Sequence, residues 1–225
     1  MSLVLPVIHH LDQNTTLSEA ALAMECGADG LFLISMDGEG DDDLPALAAT
    51  LKGRFRGRKV GINLLSRHVT FAYQAALEFG LDMVWADSAG VSSRGLTDDG
   101  RWLQQQLQIN QGRGPELFAS VAFKYQPEDP DPPAAAAMAQ QMGAVPTTSG
   151  MATGKPPTLD KISGMRASTQ VLAVASGLDC DNVAAFVPLL THILVSTGVS
   201  RDGHHFDRAR LTRFVQTVKN VACET

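Results

Sequence analysis

Lys124 lies near the end of an otherwise apolar run, LFASVAFKY, and is the first residue whose setting suggests chemistry. An ammonium that loses part of its water has a lowered pKa and a more reactive amine. Such a lysine can form a Schiff base with a carbonyl substrate. It can also stay protonated and hold a substrate anion, or pair with Asp87 in a plain salt bridge that leaves it inert. Asp87, in LDMVWADS, and Asn63, in KVGINLLS, stand near the ends of two other apolar runs. They join Lys124 as candidate catalytic residues. If its strand is regular, alternation sets Phe123 and Tyr125 on the face opposite Lys124.

A second group of residues suits an anion. VPTTSGMATGKPPT, residues 145–158, places Gly150 and Gly154 beside Lys155 and several hydroxyls. It is not a nucleotide P-loop, which needs G-x-x-x-x-G-K-[ST]. The glycine spacing is one residue short, and Pro156 takes the place of the metal-binding hydroxyl and removes an N–H donor. The loop can still offer amides and hydroxyls to an anion, or be a simple turn. ASGLDCDN and STGVSRDG each carry a small residue and a glycine after an apolar run. Gly154, Ser176, Gly177, Thr197 and Gly198 are the candidate phosphate-binding residues, and Arg201 could add charge. Turn formation is the alternative, because Asp179 and Asp181 look like helix caps. His9 and His10 are adjacent, so at most one can face a given side of a strand; each reads as a hydrogen-bonded or exposed histidine, with a metal site shared with Asp12 as the alternative. His204 and His205 read as surface residues, and Asp41, Asp42 and Asp43 as a solvated helix start. No nucleophile elbow, HExxH or GxGxxG occurs, and neither a metal nor a cofactor is expected.

These residues need elements to position them. Strand-like runs are expected at 3–8, 30–35, 59–66, 81–88, 116–125, near 145, 171–176 and 192–196. Helical patterns follow them at 17–26, 44–55, 69–79, 97–109, 133–142, 159–166, 182–190 and 207–221. Strand–helix alternation implies a parallel sheet with right-handed crossovers. Nearly continuous apolar strands are those covered on both faces. Eight such units within 225 residues predict an α/β chain folded as one (β/α)8 TIM barrel over 1–225, with a doubly wound open sheet as the alternative. Barrel sites lie at the carboxyl ends of strands, with phosphate often held after strands seven and eight. Both candidate groups fall there.

Composition narrows the partners. Hydrophobic residues make up 44% and charged residues 19%, with a formal net charge of −6 and scattered lysines and arginines. A nucleic-acid partner is not expected. Cys26, Cys180 and Cys223 are far apart, which argues against a disulfide framework or zinc site and suits a reducing cytoplasm. No signal peptide and no membrane span are read. A homo-oligomer is left open.

The order of the pieces resembles the BtpA family, whose founding member is implicated in photosystem I biogenesis. The resemblance covers most of the chain. It is carried by GADGLFLIS, VGINLLS, MVWADSAGVSSRGL, AFKYQPED, TSGMATGKPPTLDKI, VLAVASGLDCDNVAAF and ILVSTGVSRDGHHFDRARLTRFV; SGMATGKPP is the most specific. The resemblance implies a TIM barrel related to phosphate-binding barrels. The chain reads as a divergent member. Ser120 and Tyr125 stand where the family tends to have an acidic residue and a histidine, and Asp87 where asparagine is frequent. Ser196, Thr197 and Gly198 replace a Gly-[ST]-[SA] turn. Two functions are carried forward. One is an enzyme (lyase, isomerase or transferase) acting on a small phosphorylated sugar or nucleotide-like metabolite. The alternative is a non-catalytic binding or assembly factor on a barrel scaffold.

Overall fold

The apolar runs become strands that are buried on both faces. The computed structural model describes residues 2–224, with side chains through residue 221. Strands β1 (Leu3–His9), β2 (Gly30–Ile34), β3 (Lys59–Asn63) and β4 (Met83–Ala86) come first. A short antiparallel hairpin, β5 (Val91–Ser92) and β6 (Gly95–Leu96), follows. Strands β7 (Glu116–Ser120), β8 (Val145–Thr148), β9 (Ala173–Ala175) and β10 (His192–Val195) complete the set. Without the hairpin, the eight strands form a closed parallel barrel in the order β1-β2-β3-β4-β7-β8-β9-β10. Pairing of Leu3 with His192 and of Val7 with Phe32 joins β1 to both neighbours and shuts it.

Alternation along each strand divides the apolar residues between two cores. Leu5, Phe32, Met83, Phe118, Ala173 and Leu194 fill the barrel. Val4, Leu31, Ile62, Val84, Leu117 and Ile193 face the helices. Inside, the Phe32 ring meets Phe118 edge-on at 5.2 Å and Trp85 at 6.2 Å. Full burial of one such ring contributes about 1.5–3 kcal/mol. Gly61 makes the room, since a Cβ there would lie 2.5 Å from Phe32 Cε1. Deeper, His192 lies 5.1 Å from the Phe118 ring, and burial pushes its imidazole down to about 4.

The helices are α1 (Gln13–Glu25), α2 (Leu44–Arg54), α3 (Val69–Glu78), α4 (Asp98–Ile109), α5 (Pro132–Met142), α6 (Leu159–Ala167), α7 (Val183–Phe186) and α8 (Arg208–Glu224). Asp12, Thr97, Asp131 and Thr158 accept amide hydrogen bonds at the starts of α1, α4, α5 and α6, as N-caps should. None of the described helices is long and apolar enough to cross a membrane. Cys26 and Cys180 are free thiols; the Cys223 side chain lies outside the described residues.

Three local expectations are corrected. The fifth barrel strand stops at Ser120 and does not run on to Tyr125, because Ala122 and Tyr125 take φ of 46° and 62°, which no strand can accommodate. The 182–190 helix is one α turn followed by a 3-10 turn at Val187–Leu189; Pro188, two residues beyond α7, supplies no amide for it to continue. Asp41 is 1% exposed, not solvated. Its Oδ2 accepts from Ser66 N at 2.7 Å and Ser66 Oγ at 2.8 Å, tying the loop after β2 to that after β3.

Candidate functional site

A cavity of about 240 Å³ opens at the carboxyl end of the barrel. Its floor is the top of the inner core, including Val7, Ile34, Trp85, Phe123 and Leu194. Its polar groups come from the ends of several strands. His9, Asp87, Lys124, Ser176 and Thr197 line it, together with Tyr125, Ser196 and Thr153, the last a hydroxyl of the 145–158 loop.

Lys124 is at the centre of the polar wall. Its Nζ donates to Thr153 Oγ1 at 3.0 Å and to Ser176 Oγ at 3.4 Å. It also lies 5.8 Å from the Phe123 ring and 5.7 Å from the Tyr125 ring, close enough for cation–π attraction. Phe123, Lys124 and Tyr125 therefore all face one cavity. Regular alternation would have separated them, but the chain has left the strand. Burial pushes the Lys124 ammonium below the usual lysine range. The salt-bridge alternative is not formed: among the described residues, no ion pair joins Lys124 to Asp87.

Asp87 sits at the rim with Asn63 behind it; Asn63 Nδ2 donates to Asp87 Oδ1 at 3.1 Å. Partial desolvation at the rim pushes the Asp87 carboxyl above the usual carboxylate range, while the Asn63 hydrogen bond and the charge of Lys124 oppose that shift; the residue itself stays exposed to solvent. Asn63 is buried and touches the site through Asp87.

The turn that presents Lys124 is held by its neighbours. Lys161, near the start of α6, donates through Nζ to Ala122 O at 2.6 Å and to Ser149 O at 2.8 Å. Thr148 Oγ1 donates to the same Ala122 carbonyl at 3.1 Å. Ser149 Oγ accepts from Lys124 N at 2.8 Å. Lys161 lies within TSGMATGKPPTLDKI, a stretch that carries the family resemblance, but the sequence reading gave it no role.

The proposed anion loops are placed as follows. Ser176 has φ of 92°, an unusual conformation for a side-chain-bearing residue. Its Oγ accepts from Gly154 N at 3.4 Å. Gly177 has φ of +84°, and a Cβ on it would come within 2.3 Å of Lys155 O. A Cβ on Gly198 would come within 2.0 Å of Leu178 O. Both glycines are therefore demanded by backbone packing between loops, and neither lines the cavity. Thr197 and Gly198 open a 3-10 turn whose first hydrogen bond runs from Val199 N to Ser196 O at 3.0 Å, so their own amides precede it. Asp179 turns inward on its own loop, accepting from Asp181 N and Asn182 N. Asp181 pairs with Arg213 at 3.2 Å. Arg201 is an exposed partner of Asp202 and does not line the cavity.

His9 reaches the cavity with both ring nitrogens engaged, Nε2 with Ser196 Oγ at 3.2 Å and Nδ1 with His204 Nδ1 at 3.4 Å. Burial first, then His204 and Lys124, push it down to about 4, so it is a neutral imidazole at pH 7. His10 faces away, bonded to Thr16 Oγ1 at 2.8 Å. The described residues contain no cluster of three or more His, Cys, Asp or Glu side chains that could hold a metal.

No protein-family model and no curated protein matches the chain. Solved structures do resemble it. A 3-hexulose-6-phosphate synthase aligns with a TM-score of 0.72 at 12% identity, covering 96% of this chain and 99% of that one. Phosphoribosyl anthranilate isomerase from Thermus thermophilus aligns at 0.68 and 13%, covering 98% and 100%. The native KDPGal structure aligns at 0.69 and 12%, covering 98% and 96%. At such identities the likeness speaks to architecture alone, and with the closed eight-strand barrel it shows this chain to be a TIM barrel.

Proposed function

We propose that the chain is an enzyme acting on a small phosphorylated metabolite bound at the barrel mouth, and that it is a divergent relative of the BtpA family. The observation that carries this reading is the Lys124 ammonium. It is half-buried at the cavity wall, bonded to the hydroxyls of Thr153 and Ser176 and to no carboxylate among the described residues. A cation so placed, among hydroxyls that can also donate, suits an anionic ligand group. In this reading the phosphate lies against Ser176, Thr197 and the Gly154 loop, with Gly177 and Gly198 holding the loops close enough to present their amides. The names of two similar structures, a hexulose-6-phosphate synthase and a phosphoribosyl anthranilate isomerase, contain phosphorylated compounds, which agrees with this class of ligand.

Asp87, with its raised pKa, supplies a proton-transfer group in the same cavity, oriented by Asn63. A carboxyl shifted toward neutral pH is suited to general acid–base work, the chemistry of an isomerase or lyase. Lys124 steadies the anion that such a step creates. Thermal unfolding with inorganic phosphate and with ribose 5-phosphate tests the reading. A ligand at about 100 times its Kd stabilises by about 2.7 kcal/mol, or about 5–10 °C for a chain of this length. Lys124→Met should lose that shift. An equal shift in the variant would place the anion elsewhere. No shift in the wild-type protein would favour the non-catalytic assembly reading.

A further inference from the structure

The cavity wall is not chemically uniform, and the barrel order explains why. The arc from β7 through β10 to β1 supplies Lys124, Thr153, Ser176, Thr197 and His9. The opposite arc supplies Ile34 at the end of β2, Met36 after it, Leu65 after β3 and Trp85 on β4. The one polar atom of Trp85, its indole N–H, is already bonded to Ser120 Oγ at 3.0 Å. Asp87 marks the edge of this arc and is engaged by Asn63. Met36 and Leu65 are 56% and 38% exposed at the lip. Single exposed apolar side chains are ordinary. Here two line the same cavity, whose floor is also apolar.

We infer that the ligand of this mouth is amphipathic: a phosphate or similar anion at one end and a compact apolar group, such as an aromatic ring, at the other. The anionic end rests on the reading proposed above; the apolar end rests on the second arc. A fully hydroxylated sugar would turn hydroxyls toward Ile34, Met36 and Leu65. Those hydroxyls would lose water and gain no partner. A ring in the same place would bury itself and cover both lip residues. The size agrees, because about 240 Å³ lies just below the roughly 300–1,000 Å³ of pockets for drug-sized ligands, which suits one ring and a phosphate.

Calorimetric titration with inorganic phosphate, glycerol 3-phosphate, phenyl phosphate and benzyl alcohol tests the inference. Phenyl phosphate should bind at least about tenfold more tightly than glycerol 3-phosphate, a difference of about 1.4 kcal/mol. Leu65→Asn, a change at the exposed lip, should bring that ratio near one, whereas Lys124→Met should weaken both esters alike. Equal binding of the two esters would overturn the amphipathic ligand and leave the phosphate site standing. Binding of benzyl alcohol without any phosphate compound would overturn the anion site and, with it, the two-ended ligand. Binding of none of the four would overturn both.

Discussion

Replacing Lys161 with methionine removes the clamp behind the turn that presents Lys124 while keeping most of the side chain's length. The ammonium makes two short bonds, at 2.6 Å to Ala122 O and 2.8 Å to Ser149 O. Hydrogen bonds involving a charged group contribute about 1.5–3 kcal/mol each. Two terms reduce the loss. Methionine has no ammonium to desolvate, and desolvation is what pushes Lys161 below the usual lysine range. Ala122 O also keeps Thr148 Oγ1 at 3.1 Å. A net destabilisation of about 2 kcal/mol remains, which for this length lowers Tm by about 4–8 °C. The second effect is on the site. Ala122 sits at φ of 46°, a conformation that costs a non-glycine residue on the order of 1–2 kcal/mol. Once Lys161 is gone the turn can relax to negative φ and carry Lys124 and Tyr125 out of register with Thr153 and Ser176. Phosphate affinity should fall by about tenfold or more. Circular dichroism melts and phosphate titrations read the two effects separately. A variant that melts within 1 °C of wild type and binds phosphate equally well would refute the clamp.

Acid should destabilise the fold in a defined window. His9 and His192 both titrate near 4 when folded, against an ordinary 6.5. Between those values the unfolded chain holds protons that the folded one does not. The share of stability due to these two histidines is therefore full above about pH 6.5, falls as pH drops toward 4, and levels off below it; buried His192 contributes about 3 kcal/mol to that fall. His192→Asn should flatten much of the slope in urea melts recorded from pH 7 to 4, and an unchanged slope would remove His192 as its source. Gly177→Ala should lower stability by roughly 3 kcal/mol or more, combining left-handed strain with overlap against Lys155 O. A melt within 2 °C of wild type would show that the loops have slack.

Much of the fold was written in the order of residues. Eight apolar runs, each followed by a helical pattern, have few ways to bury both of their faces other than a parallel barrel wrapped in helices. Caps such as Asp12, Thr97 and Thr158 are local, each a side chain and an amide three residues apart, yet the sequence reading looked for caps at Asp179 and Asp181 instead. The rule that barrel sites gather at strand ends named Lys124, Asp87 and Asn63, and the structure brings all three to one mouth, Asn63 through its bond to Asp87. Partners far apart in the chain were not legible. Ala122 takes a left-handed turn in a run that reads as a strand, with Lys161 and Thr148 bonding its carbonyl from α6 and β8. That turn puts Phe123, Lys124 and Tyr125 on one face. His204 meets His9 across 195 positions, and the apolar arc of Ile34, Met36, Leu65 and Trp85 assembles from three separate strand ends. Local patterns decide which residues form strands and helices because their energies act over a few residues. The site's chemistry was decided by closure of the barrel, which brings distant strand ends together and sets the water exposure on which each pKa depends.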